Sequence, residues 1–304
     1  MNKILLALPL LFSFSSFADC GQKKFALVIH GGVGYNANEK QKAVMVDILK
    51  KGHEALKGGA IAQDVVQSSV EAMEDSGLFN AGKGGTRTNK GTVELDASIM
   101  DGKTMAAGAV GSVKDVKNPI RLARMVKDKT KHVFMVGEGA SAKAKEFGLE
   151  MVSSDYFVSQ APMMTKERFH YGTVGAVALD RCGDLAAATS TGGLFGKNPG
   201  RLGDSPVIGA GTYANNKTVA VSCTGEGEKF IRATAGARIS MILEYTKRNL
   251  KSAVEETLTL VKTLGGDGGI ITVDKNGQVV TSTNDNMPMP RGYVRENGTV
   301  VQND

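Results

Sequence analysis

The chain has 304 residues, of which 41% are hydrophobic and 22% charged, with a formal net charge of +6. That length allows one large domain or two ordinary ones with a sizeable core, and the composition excludes a disordered or fibrous chain. The basic residues are spread along lysine-rich helical segments rather than gathered into a patch, so no nucleic-acid partner is expected. The 38 glycines fall in short turns and loops without any repeat, a use of glycine for backbone geometry.

Residues 1–18 read as a secretory signal. Lys3 supplies the positive start, residues 4–14 the apolar run, and Ser16-Phe17-Ala18 a small-x-small cleavage site. The run is too short to span a bilayer, so the mature chain, from about Asp19, is expected in the periplasm or secreted, without a membrane partner. Asp19 and Phe17 before Cys20 argue against a lipoprotein site. Cys20, Cys182 and Cys223 lack metal-type spacing; they allow one disulfide and one free thiol, with the pairing open.

The first strand, over 25–29, runs into His30-Gly31-Gly32-Val33-Gly34. Helical periodicity covers 39–56 and 62–74, and a glycine-punctuated loop follows over 76–86. Alternation from Val93 to Met100 predicts a strand, 104–113 a second, and Asp101-Gly102 a hairpin turn between them. Asn118-Pro119 opens a helix with Asn as cap, running to about 127. A strand over 132–136 and a short helix near Gly139 follow, and 153–171 connects the halves without a clear period. The second half predicts strands over 173–179, 185–190, 218–223, 270–273 and 278–282, with helices over 228–247 and 251–264. Antiparallel strand pairs flanked by helices imply stacked sheets covered by helical layers rather than a doubly wound parallel sheet.

Two nucleotide motifs fail. Gly32-Val33-Gly34-Tyr35-Asn36-Ala37 has no acidic residue within the stretch 55–59 where one is expected, and Lys83 in Gly82-Lys83-Gly84 is not followed by Ser or Thr. His30, His53, His132 and His170 show no ligand spacing and read as structural or exposed.

The chemistry gathers elsewhere. Thr173 follows Gly172 at an abrupt strand start, and a threonine hydroxyl becomes a competent nucleophile when cleavage before it frees its own α-amine as base. A strained glycine at 172 would suit that cleavage. Thr189-Ser190-Thr191-Gly192-Gly193 ends a strand in hydroxyls. Arg201 and Asp204, three residues apart in a loop, suit the carboxylate and ammonium of a zwitterion, the guanidinium gripping through two parallel hydrogen bonds. Cys223-Thr224-Gly225-Glu226-Gly227 opens a helix whose free backbone donors suit an oxyanion, with Thr224 also a candidate helix cap.

Together with His30-Gly31-Gly32, Leu78-Phe79-Asn80-Ala81-Gly82, Glu94-Leu95-Asp96-Ala97 and Gly209-Ala210-Gly211, these motifs make the chain resemble the plant-type asparaginase and isoaspartyl peptidase branch of the N-terminal nucleophile hydrolases, over nearly all of its mature length. The resemblance implies a four-layer αββα sandwich forming one domain. It implies cleavage between Gly172 and Thr173 into an α chain of 19–172 and a β chain of 173–304. Thr173 would attack the side-chain amide of asparagine or a β-aspartyl dipeptide, beside Thr191. Arg201 and Asp204 would anchor the aspartyl group, Thr224 and Gly225 would form the oxyanion hole, Gly227 would line the pocket, and Asn80 would support processing. No cofactor is implied for catalysis. A structural sodium ion is implied on the carbonyls of Met73, Glu74, Ser76, Phe79, Ala81 and Lys83, and the assembly implied is a dimer of αβ units. Departures are a connector before Thr173 that looks short, Lys83 where relatives often carry an apolar residue, and the acidic Glu226, which would favour neutral or basic leaving groups if it faces the pocket. A glycosylasparaginase would share the nucleophile and anchors, and an exported amino-acid binding protein would keep only the anchors.

Overall fold

The apolar run after Phe25 forms β1 (Ala26–His30), buried at every position. In the computed structural model, which describes Cys20, residues 24–157 and residues 172–303, two helices follow. The expected signal, the connector over 158–171 and His170 lie outside the described residues. Helix α1 (Glu39–Lys57) starts at a capping box, Asn38 and Gln41 each accepting from the other's backbone N–H. Helix α2 (Ala62–Ser76) ends where Gly77 turns left-handed at φ 66°, a conformation that favours glycine. The first half continues through β2 (Leu95–Asp101), β3 (Ala107–Val113), α3 (Pro119–Lys129), β4 (Phe134–Val136) and α4 (Gly137–Glu146). The second half supplies β5 (Val174–Leu179), β6 (Leu185–Thr191), β7 (Thr212–Ala214), β8 (Val219–Gly225), α5 (Gly227–Ala233), α6 (Ala235–Tyr245), α7 (Leu250–Thr263), β9 (Gly268–Asp274), β10 (Val279–Thr283), β11 (Arg291–Arg295) and β12 (Val301–Asn303).

The strands form an eight-stranded sheet, ordered β12-β11-β1-β5-β6-β2-β3-β4, and a four-stranded sheet, ordered β10-β9-β8-β7. Helices α1 to α4 pack on the large sheet and α5 to α7 on the small one, while β5 and β6 face β8 across the gap between the sheets. The result is the expected αββα sandwich, with one apolar layer under each set of helices and a third between the sheets. Helix α7 shows why the helices dock: Leu250, Ala253, Val254, Thr257, Leu258 and Val261 repeat at three- and four-residue spacing and are buried together. Strand β2 is covered on both sides and is buried at all seven positions, so its sequence alternation separates two buried environments rather than core from water.

Four local expectations are corrected. The predicted Asp101-Gly102 hairpin is a longer connection over 102–106, because the Asp101 carboxylate collects the backbone N–H of Lys103 and Thr104 and the Thr104 hydroxyl. Asn118 does not cap α3 with its side chain; its amide donates to Glu74 and Asp75, and Glu74 accepts from the Ile120 N–H instead. The single helix predicted over 228–247 is two, broken at Thr234, which sits left-handed at φ 47°. The strands β7, β11 and β12 carry no clear sequence period; all three are short, β7 and β12 lie at sheet edges and β11 lies beside one.

Candidate active site

Register brings the first pair of functional side chains together. In the antiparallel β5/β6 ladder Val174 lies opposite Ser190, so the residue before the strand, Thr173, meets the last residue of its neighbour, Thr191. Their hydroxyls are buried, and Thr173 Oγ1 donates to Thr191 Oγ1 at 3.1 Å. Thr191 Oγ1 in turn donates to the Gly172 carbonyl at 2.9 Å and accepts from the Gly193 N–H at 2.9 Å. Asn80 Nδ2 donates to the same Gly172 carbonyl at 2.9 Å and to the Gly193 carbonyl at 2.8 Å, while its Oδ1 accepts from the Thr86 N–H. The carbonyl next to Thr173 therefore sits between two donors.

Gly172 is needed for space rather than for strain. Its φ is not positive, but a Cβ there would lie 2.4 Å from the Cβ of Asn80. The expectation of a strained glycine is replaced by one of close approach, which lets the Asn80 amide reach the carbonyl.

Arg201 and Asp204 line one small cavity with Gly172, Thr173 and Thr191. Asp204 is 4% exposed, and its Oδ2 has no hydrogen-bond partner. Burial pushes its carboxyl up to about 7 against the pull of Arg201. Gly227 packs against this carboxylate so closely that a Cβ would lie 2.8 Å from Oδ1. Arg201 differs from expectation. Its Nε and Nη2 donate to the two carboxylate oxygens of Glu228 at 2.8 and 2.7 Å, so one paired edge of the guanidinium is already engaged inside the protein. The Arg201 hydrogen bonds hold the Glu228 carboxyl below the usual range.

Thr224 and Gly225 end β8, opposite the cavity from the β5/β6 pair, and Gly225 also lines it. Thr224 is fully buried with its hydroxyl unpartnered, and it does not cap α5. Gly225 has φ 139°, and a Cβ would lie 2.3 Å from the Asp267 carbonyl, so only glycine fits. The Glu226 N–H, expected to be free, donates to that same Asp267 carbonyl.

Three buried polar clusters support these residues; the sequence marks Glu74 only through its carbonyl, His30 only as structural or exposed, and Lys197 not at all. Lys197 is buried in the loop after β6, donating from Nζ to the Glu94 carbonyl at 2.9 Å and to Asp96 Oδ2 at 3.5 Å. It packs against Gly193, where a Cβ would lie 2.8 Å from the lysine chain; burial lowers the Lys197 pKa and raises that of Asp96. Glu74 is buried beneath β6, accepting from Ser190 Oγ at 2.6 Å, and burial pushes its carboxyl up to about 8. His30 Nε2 meets Ser222 Oγ at 3.0 Å, and a chain of hydroxyls continues through Thr189 and Thr212 to the Ser205 carbonyl beside Asp204. Burial lowers His30 to about 3, against the pull of a hydrogen bond with the Thr173 backbone. The signals were weak: a lysine in a glycine-rich turn resembles a solvated one, and Glu228 is one more acid at a helix start.

The loop after α2 packs closely against its own backbone. A Cβ on Gly84 would lie 2.2 Å from the Phe79 carbonyl and 2.9 Å from that of Gly77, and one on Gly82 would lie 2.9 Å from that of Glu74. The carbonyls of Met73, Phe79 and Ala81 each accept an internal hydrogen bond, and Lys83 extends over the Tyr156 ring.

The family model described as Asparaginase matches this chain over residues 23–170 and 158–301. The chain is 42% identical over 307 residues to an isoaspartyl peptidase of Salmonella typhimurium, covering 91% of this chain and 97% of that protein. It is 43% identical over 290 residues to a plant-type L-asparaginase of Pyrobaculum calidifontis, covering 88% and 96%. An isoaspartyl peptidase/L-asparaginase of Mus musculus is 39% identical over 281 residues, covering 86% of each chain.

Proposed function

The chain belongs to the asparaginase family, and on that premise we propose that it cuts itself before Thr173 and then uses Thr173 to hydrolyse its substrates. It is a hydrolase of isoaspartyl peptides and asparagine, the activities its relatives are named for. The observation that carries the mechanism is the Gly172 carbonyl held by Asn80 and Thr191, with the Thr173 hydroxyl bonded to Thr191 beside it.

In the proposed first reaction Thr173 Oγ1 adds to the Gly172 carbonyl carbon, and the two donors stabilise the oxyanion that forms. The C–N bond breaks, the Thr173 nitrogen takes the proton lost by the hydroxyl, and Gly172 becomes an ester on Oγ1. Water opens that ester, leaving a Gly172 carboxylate and a free α-amine on Thr173. In the second reaction the amine takes the hydroxyl proton as Oγ1 adds to the side-chain carbonyl of the substrate, then passes it to the departing amine. Water releases aspartate from the resulting acyl-enzyme.

The substrate's α-ammonium pairs with Asp204, whose Oδ2 has no other partner, and Arg201 meets its α-carboxylate once Glu228 yields or through the guanidinium edge that Glu228 leaves. Thr224 Oγ1 and the Gly225 N–H receive the oxyanion, with Gly227 giving Asp204 room. The reading of Met73, Glu74, Ser76, Phe79, Ala81 and Lys83 as a sodium site is supported by the neutral carbonyl donors that crowd this loop, to which Gly77 adds another. Such an ion would brace the segment that presents Asn80. Export to the periplasm is supported by the disulfide between Cys20 and Cys182. We extend the reading to a dimer of αβ units, which sedimentation of the processed protein checks.

Intact-mass analysis of the wild type and Thr173→Ala tests the central claim. Two fragments meeting at Gly172 and Thr173 are expected in the wild type alone. An uncut chain in both samples overturns it.

A further inference from the structure

We propose that the Cys20–Cys182 disulfide is the covalent bond that joins the two chains of the processed enzyme. The inference rests on cleavage before Thr173. Cys20 lies on the α-chain side of that bond and Cys182 on the β-chain side, 162 residues apart in sequence with their Cα atoms 4.6 Å apart. The third cysteine, Cys223, is buried and free. Before cleavage the disulfide closes a loop within one polypeptide. After cleavage it becomes an interchain link, and the enzyme is one covalent molecule with two N-termini.

The position of Cys182 is fixed independently of the disulfide. It lies in the turn between β5 and β6, where Asp180 Oδ1 accepts from the N–H groups of Cys182 and Asp184 at 2.9 and 3.0 Å. Asp180 Oδ2 accepts from the Ala62 N–H at 2.8 Å, at the start of α2, and Arg181 Nη1 donates to the Lys57 carbonyl at the end of α1. The β-chain turn is thus docked onto two α-chain helices, and Cys20 meets it there. Strands β5 and β6 separate this turn from Thr173 and Thr191, a length of about 20 Å at the usual strand rise. Breaking the disulfide therefore leaves the catalytic groups where they are.

The consequence is thermodynamic. Two chains held only by strand pairing separate when they unfold, so refolding needs an encounter and the melting temperature depends on protein concentration. A disulfide across the cut keeps the pair together in the unfolded state, and refolding of each αβ unit stays unimolecular.

The experiment alkylates free thiols in denaturant and measures intact mass and gel mobility with and without a dithiol reductant. Without reductant the wild type is expected as one species, the summed mass of both chains; with reductant it separates into two. Cys20→Ser and Cys182→Ser are each expected to give two chains in both conditions, with hydrolysis of β-aspartyl peptides within about twofold of wild type. In a second readout, about a hundredfold dilution lowers the melting temperature of the reduced protein and of either variant more than that of the wild type, whose remaining dependence is that of the dimer alone. Two chains from the unreduced wild type, with Cys20 and Cys182 alkylated, overturn the interchain link and leave the cleavage reading standing. One uncut chain after reduction overturns both.

Discussion

The two sides of the cavity are built oppositely. Around the Gly172 carbonyl every donor is engaged: Asn80, Thr191 and Gly193 hold one another and the bond before Thr173. Across the cavity Asp204 Oδ2 and the Thr224 hydroxyl are buried and unpartnered. Leaving such groups unpaired costs on the order of 1–3 kcal/mol each, more for a charge, so a ligand that pairs with them recovers that cost. On the proposed mechanism the first side holds its substrate, which is the chain itself, and the second receives one from solution.

That contrast predicts that the two reactions separate under mutation. Asp204→Asn is expected to lower kcat/KM for β-aspartyl peptides by about two to three orders of magnitude, the usual scale for losing one partner of a buried charge pair. Chain cleavage should proceed in the same protein; an uncut Asp204→Asn would break the division. Thr224→Val comes next, with kcat reduced about a hundredfold by loss of an oxyanion donor and KM little changed, again in a fully cleaved enzyme. Asn80→Ala reverses the pattern. Cleavage, followed by gel over time, should slow about tenfold or more, and the fraction that has been cut should hydrolyse substrate at close to the normal rate. The smallest effect is that of pH. Asp204 sits near 7 in the free protein and must be ionised to receive an ammonium, so the inhibition constant of aspartate should rise as pH falls below about 7. The increase approaches tenfold per unit, and a flat profile would remove Asp204 as the anchor.

The distribution of what was legible follows the same line. Thr173, Thr191, Arg201, Asp204 and Thr224 stand in glycine-bounded motifs because close approach restricts both the residue and its neighbours, and such restriction leaves a local pattern. The layers were legible too, since helical and strand periods survive in α1, α7, β2 and β5. Partnerships made across the fold were not. Nothing near Arg201 signals that Glu228 holds it, and Lys197, Glu74 and Ser222 are polar residues whose burial is decided by strands far away in sequence. Asn118 failed as a cap for the same reason: Glu74, 44 positions earlier, takes its place. The break at Thr234 escaped because helical periodicity continues in register on both sides of one left-handed residue.

Strand order in the large sheet bears on when the enzyme can become active. From one edge, β12 and β11 come from after residue 173, β1 from before it, β5 and β6 from after, and β2, β3 and β4 from before. Neither segment owns a contiguous half of the sheet, and Asn80 and Thr191 reach the same carbonyl only when both are interleaved. On the proposed mechanism a misassembled chain cannot generate its own nucleophile. Activation then serves as a proofreading step, in which acquiring activity certifies that the fold is complete.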